Sequence, residues 1–399
     1  MNPLINELHP YPFEKLAKLL SDITPNRELE LIKLTIGEPQ HPAPQFVLDT
    51  LTQNLDKVSK YPGTKGTLEL RQCIANWATK RFNLDSLDAD SQVLPVTGTR
   101  EALFAITQTL VDASQKDATV ISPNPFYQIY EGATLLAGAK LHFLAGNPEQ
   151  NYKIDYQNIS DELWQRTQIV FTCSPNNPNG YVTTLEDYEF LLKKSFEFNF
   201  TIIADECYSE IYFDENNKPT GLLEACKQFN NPDYKNCLVF HSLSKRSNLP
   251  GLRSGFVAGD ADILAKFLLY RTYHGCAMAL QTQAASISAW NDEAHVLENR
   301  ELYREKFDQV LDILSPVMKV NKPDAGFYLW PYLTMDDEVF CQKLYQEEAV
   351  LVLPGRYLAR DVDGINPAKN HVRMALVATT DDCVEAAQRI KRFLLRHAK

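Results

Sequence analysis

From Val93 to Gly259 short apolar runs rich in β-branched residues alternate with stretches whose apolar positions recur at helical spacing. That rhythm predicts an α/β fold, a mostly parallel sheet with helices on both faces. The expected strands are Val93–Thr97, Thr119–Ser122, Leu141–Leu144, Ile169–Cys173, Thr201–Ala204, Leu238–His241 and Gly255–Ala258. Several end in polar turns, and ligands of open α/β sheets gather beyond the carboxyl ends of strands. Gly98, Asn177, Asp205 and Lys245 are therefore expected to converge there.

After Trp290 the pattern changes. Glu293 to Leu314 reads as one long amphipathic helix with Val296, Leu297, Tyr303, Phe307, Val310 and Leu314 at helical spacing, leading into a second, α+β domain. Its expected elements are the apolar runs Gly326–Trp330, Val350–Leu353 and His371–Val377 and a closing helix from Thr380 to Arg396. The expected organisation is an N-terminal arm that also contributes to the small domain (1–45), a large domain (46–292) and a small C-terminal domain (293–399). The arm carries Leu4, Ile5, Leu8, Phe13, Leu16, Leu19 and Leu20, which would pack on the small domain or on a neighbouring subunit.

Composition narrows the class. With 44% hydrophobic and 23% charged residues in 399, the chain is ordinary for a globular enzyme. A net charge of −11, from 40 basic and 51 acidic residues, argues against nucleic acid as a partner. Met1–Leu20 lacks the uninterrupted apolar core of a signal peptide, and the uncharged stretch Thr272–Asn291 is too polar for a membrane span. The latter reads as loop and buried helix. Eight cysteines without a CxxC spacing argue against zinc and disulfides, and point to a reducing cytoplasm with no metal site.

The sharpest chemistry lies in His241–Gly255, HSLSKRSNLPGLRSG, where a strand runs into a small-residue turn holding Lys245. Desolvation lowers an amine's pKa and makes it a nucleophile toward carbonyls. Most lysines are simply exposed. Here Ser242, Ser244 and Arg253 stand close by in sequence, and their hydroxyls and guanidinium suit a phosphate monoester. In Thr97–Leu103, TGTREAL, a strand end meets a helix start, whose free amides favour an anion.

Asp205 in ADECY sits at a strand end, where a carboxylate either caps a helix or holds a ring nitrogen protonated. Tyr208 follows it as a phenol donor. Asn177 in SPNNPNG, Tyr127 in NPFYQIY and Tyr61 in KYPGTKG admit turn or core readings as well as functional ones. Arg373 in HVRMALV is a charge inside an apolar run, which needs a carboxylate from the protein or from a substrate.

Taken in order, IGEP, YPGTKG, TGTREAL, SPNNPNG, ADECY, SLSK with its following arginine, and VRMAL resemble the class I/II aminotransferases, enzymes dependent on pyridoxal 5′-phosphate (PLP) with the type I transferase fold. The resemblance implies that Lys245 holds PLP covalently and that Asp205 pairs with the pyridine nitrogen. It implies that Tyr208 and Asn177 hold the phenolate oxygen and that Tyr127 stacks on the ring. Gly98, Thr99, Arg100, Ser242 and Arg253 would bind the phosphate, joined by Tyr61 from the partner subunit of a homodimer. Arg373 would clamp the substrate α-carboxylate near Gly37 and Asn177. NPNG departs from the family, which usually has Thr where Asn179 stands.

Within the family, the runs NPFYQIYEGA, ADECYSEIYFDE, FHSLSKRSNLPGLRSGFVAGD and YRTYHGCAM are similar to succinyldiaminopimelate transaminases of lysine biosynthesis. That implies N-succinyl-LL-2,6-diaminopimelate and 2-oxoglutarate as substrates, with glutamate on the return half-reaction. Arg271 and Lys65 are then the candidates for the distal carboxylates. The same motifs also serve N-acetylornithine or aspartate/aromatic aminotransferases and PLP β-lyases. A PLP-sensing regulator needs a winged-helix segment, for which the IGEP turn at Ile36 leaves no room.

Overall fold

The structure, a computed structural model, describes residues 1–398. A two-residue strand, β1 (Ile32–Lys33), precedes the strands of the main sheet. These are β2 (Val93–Val96), β3 (Thr119–Asn124), β4 (Lys140–Asn147), β5 (Lys153–Ile154), β6 (Thr167–Cys173), β7 (Thr201–Asp205), β8 (Cys237–Ser242) and β9 (Gly255–Gly259). They lie in the order β2-β9-β8-β7-β6-β3-β4-β5.

The pairs β4/β3, β3/β6, β6/β7 and β7/β8 are parallel, whereas β9 runs antiparallel to both of its neighbours and β5 antiparallel to β4. The sheet is thus mixed at its borders. Because β9 is reversed, its first residue meets the last residues of β2 and β8: Val96 and Ser242 both face Gly255. The ends of β2, β7 and β8 and the start of β9 therefore share one edge.

Strand residues alternate between two cores with a period of two, as pleating requires. Ile121, Val170, Ile202, Ala204 and Val239 pack on one face with helix residues Ile74, Trp77, Tyr188 and Leu191. Their neighbours Val120, Ile169, Phe171, Ile203, Leu238 and Phe240 pack on the other, with Ala102, Ile106, Tyr130 and Phe267. Burial on both faces explains why these strands read as continuous apolar runs.

The C-terminal strands are β10 (Tyr328–Leu329), β11 (Val350–Leu351), β12 (Leu353–Pro354) and β13 (Val372–Ala375). They form a small sheet β10-β13-β12 and a parallel pair β1-β11, so the N-terminal segment is built into this region. Helices Ala294–Leu314, Asp337–Glu348 and Thr380–His397 cover it, burying Phe307, Val310, Phe340, Leu344, Ile390 and Phe393 against Val350, Val372 and Met374. The arm helix Pro12–Leu19 buries Leu16 against Trp330, Leu353 and Tyr357, while Ile5 and Leu8 remain exposed. No helix among the described residues is long and apolar enough to cross a membrane.

Candidate active site

A cavity of about 470 Å³ opens at the shared strand edge. Of the residues singled out in the sequence, Gly37, Thr99, Arg100, Tyr127, Asn177, Asp205, Tyr208, Ser242, Ser244, Lys245, Arg253 and Arg373 line it. Gly98 lies directly behind it. As the N-cap of helix Thr99–Leu110 it adopts φ +95°, and a Cβ there would fall 2.1 Å from the Arg253 guanidinium. Only glycine allows that helix end and that arginine to come together.

Lys245 sits on a one-turn helix, Leu243–Arg246, capped by Ser242, whose Oγ accepts the Ser244 amide at 3.1 Å. The Ser242 and Ser244 hydroxyls lie 2.9 Å apart. The Leu243 amide donates to the Ser254 carbonyl at 3.1 Å, which closes the connection carrying both Lys245 and Arg253. Burial lowers the Lys245 amine to about 8; Cys207 and Glu38 work against the shift, and Arg373 and Arg253 add to it. Its Nζ donates to the Gly37 carbonyl.

Asp205 ends β7, 4% exposed. Burial raises its pKa, opposed by neutral donors: the Cys207 amide at 3.3 Å and the Tyr130 hydroxyl at 2.8 Å. A buried carboxylate held only by neutral donors favours a cation arriving from outside. Tyr208 contacts the Tyr328 hydroxyl at 3.0 Å, and burial raises its pKa well above the usual phenol value.

Arg373, 4% exposed on β13, donates to Asn177 Oδ1 at 3.0 Å and to the Thr35 carbonyl at 2.7 Å, and its Nε has no partner. Among the described residues no carboxylate neutralises it. The donor set therefore fits a bound group with a phosphate, a basic ring nitrogen and a carbonyl, alongside a substrate carboxylate.

Behind the lysine turn runs a polar chain. Buried Lys306 donates to His41 Nε2 at 2.5 Å, which leaves the imidazole proton on Nδ1 to donate to Asn299 Oδ1 at 2.8 Å. The Asn299 amide points at the Lys245 carbonyl at 3.4 Å. Burial lowers Lys306 to about 8 and depresses His41, the latter with help from Lys306.

The family model of Aminotransferase class I and II matches residues 30–390 of this chain. The chain belongs to that family. An LL-diaminopimelate aminotransferase of Maridesulfovibrio salexigens is 30% identical over 392 residues, covering 96% of this chain and 97% of that one. An aminotransferase from Neisseria meningitidis superposes with a TM-score of 0.94 at 49% identity, over 98% of this chain and 100% of its own. Aminotransferase AspB from Helicobacter pylori gives 0.89 and 35%, with coverage of 98% and 100%. The protein is a PLP-dependent transaminase, moving amino groups between amino and 2-oxo acids.

The expected succinylated substrate, and the similarity to succinyldiaminopimelate transaminases behind it, are corrected by these relatives. The Maridesulfovibrio salexigens enzyme and further relatives of about 28–29% identity are named for LL-diaminopimelate itself. Of the two expected distal contacts, Arg271 fails on structural grounds too. Arg271 is fully buried, fixed by both Glu101 carboxylate oxygens at 3.0 Å and by the Cys276 carbonyl, and Lys65 is held by Asp90 at 2.7 Å. Neither lines the cavity.

Tyr61 stands apart from the others, fully exposed and outside the cavity of its own chain. Sequence reasoning missed Tyr130, the Asp205 partner, and the opposite wall: Tyr11, Phe13, Glu38, Tyr328 and Leu358. Tyr130 was visible as the second tyrosine of NPFYQIY. Phe13 was legible only as arm packing, and Tyr11 not at all.

Proposed function

We propose that the cavity binds PLP and catalyses transamination of an α-amino acid with glutamate and 2-oxoglutarate as the exchanging pair, LL-diaminopimelate being the first amino substrate to assay. The observation that carries this reading is Arg373, a buried cation without a protein carboxylate, on the wall of the cavity that holds Lys245 and Asp205. It is placed to receive a substrate α-carboxylate.

Ser242, Ser244, Arg253, Gly98 and the amides of Thr99 and Arg100 would hold the phosphate; Asp205 would face the ring nitrogen, Tyr127 the ring, and Tyr208 and Asn177 the phenolate oxygen. When bound, PLP supplies an electron sink for the carbon that loses its proton. Lys245, with its lowered pKa, then takes and returns a proton at the substrate Cα. Exposed Leu55, Val58 and Tyr61 beside one another support a homodimer in which Tyr61 serves the partner's cavity. The free cysteines suit a reducing cytoplasm.

The test is the visible spectrum of the PLP-loaded protein on adding glutamate or LL-diaminopimelate. Conversion to the aminated cofactor, reversed by 2-oxoglutarate, is expected. Borohydride labelling of a lysine other than Lys245, or no spectral response to any amino acid, would overturn the reading.

A further inference from the structure

Lys306 lies in helix Ala294–Leu314 with 1% of its surface exposed, and lysines are almost never enclosed without an acidic partner. Among the described residues it has none. The acids whose fields reach it, Asp382 and Glu305, bond to Thr379 and Gln309, and Cys383 beside it is a thiol that burial keeps protonated. The ammonium is held instead by His41 Nε2 at 2.5 Å and the Leu376 carbonyl at 3.5 Å, with the Tyr303 ring 5.1 Å away. A methionine would fill the same space at a lower desolvation cost, so packing does not account for the charge.

What the charge does is set a direction. An ammonium can only donate, so His41 Nε2 must accept and its Nδ1–H must donate, to Asn299 Oδ1 at 2.8 Å. With its oxygen so engaged, Asn299 turns its amide nitrogen to the main-chain carbonyls of Lys245 at 3.4 Å and Arg246 at 3.5 Å. Asn248 also donates to Asn299 Oδ1, at 3.0 Å, but its own oxygen has no partner, so it could turn over together with Asn299 and does not fix the order by itself. With His41 in the other tautomer, Asn299 would present its oxygen to two carbonyl oxygens, and the lysine turn would be pushed away instead of held. The chain also crosses between the walls. Leu376 directly follows β13, the strand of Arg373, whereas Lys245 and Arg246 belong to the connection from β8.

We propose that Lys306 is a positioning residue for transamination, fixing the main chain of Lys245 relative to the strand of Arg373 through His41 and Asn299. The assignment rests on the aminotransferase reading and deepens it. The proton that Lys245 takes from the substrate Cα and returns travels on a long, flexible side chain, so its aim depends on where the main chain is held.

The test compares the wild type with Lys306→Met, His41→Phe, the double variant and Lys306→Arg. Hydrogen exchange of the full chain, with and without PLP, is read by mass spectrometry on peptides spanning 243–249. Exchange there is expected to be about 10-fold faster in both single variants and unchanged at 119–124, as a local opening requires. In the PLP-loaded proteins kcat with glutamate should fall about 3- to 10-fold while KM stays within about 2-fold, because no substrate contact is removed. The double variant should be no worse than either single one, since both break the same chain. Lys306→Arg, a cation that also only donates, should keep both readouts near those of the wild type. Exchange that is unaltered at 243–249, or quickened everywhere alike, would overturn the proposal. So would additive losses in the double variant, or a folded Lys306→Arg as impaired as Lys306→Met. If the wild type transaminates no donor while exchange still quickens at 243–249, the transaminase reading fails and the positioning of the lysine turn stands.

Discussion

The sheet-side wall of the cavity and the wall opposite draw on the chain in different ways. Thr99–Arg100, Asp205–Tyr208 and Ser242–Arg253 each follow a strand end or a strand-to-strand turn, so strand register alone brings them to one edge. Tyr11, Gly37, Glu38, Tyr328, Leu358 and Arg373 come from the arm, the segment after β1, the C-terminal sheet and the short helical turn after β12. Only the packing of two separate cores sets them against the first wall. The first wall is suited to holding a cofactor in a fixed place, and the second to selecting what reacts with it.

Substitutions should separate the two roles. Lys245→Ala is expected to give the largest effect, a loss of turnover of about 10⁴-fold or more in a chain that still folds, because the proton-transfer group goes with little core area. Circular dichroism and single-turnover assays check this. Wild-type apoprotein should capture PLP faster as pH rises through about 8, where Lys245 becomes neutral. A capture rate that kept climbing to pH 10 would mean an ordinary lysine.

On the opposite wall Arg373→Gln should act through substrate, lowering kcat/KM about 100-fold with cofactor retained, the scale of lost charge-assisted hydrogen bonds. Loss of PLP from this variant would erase the distinction between the walls. Gly98→Ala should do the reverse. Displacement of the Arg253 guanidinium, with strain at φ +95°, should weaken PLP retention by about 10-fold and change the substrate KM little. Equilibrium dialysis of the cofactor reads it directly.

Legibility followed the same divide. The sheet-side residues are contiguous in sequence, so strand ends and turn chemistry pointed to Asp205, Ser242 and Lys245 before any coordinates. Arg373 was visible because a charge interrupts an apolar run. Tyr11, Tyr328 and Leu358 carry no local functional signal, since they meet the cavity only after the two cores dock, and Glu38 was visible only as part of the IGEP motif. Arg271 was misread for a related reason: its carboxylate partner Glu101 lies 170 residues away, and nothing local reveals that the guanidinium is already satisfied. The motif runs identified the family, while the distal end of the substrate depends on these long-range pairings.

The smallest expected effect concerns the chain behind the lysine turn. Lys306 binds its proton with a pKa of about 8 when folded and near the ordinary 10.5 when unfolded. Between roughly pH 8 and 10 the unfolded chain holds more protons, so this group makes stability rise with pH in that window. Lys306→Met should flatten the rise in a denaturant titration series. An unaltered pH slope would mean that Lys306 titrates normally.

The connection from β8 to β9 carries Lys245 on one limb and Arg253 on the other, and its base is closed by the Leu243 amide on the Ser254 carbonyl. Because both limbs continue into paired antiparallel strands, its length is as constrained as its composition. An insertion here would shift one anchor relative to the other, whereas added residues in the exposed turn between β4 and β5 would leave every cavity residue in register. Among descendants of this gene, length variation is expected to accumulate at the second turn and to be purged from the first, and a circular permutant opened between Lys245 and Arg253 would lose the site even if it folded.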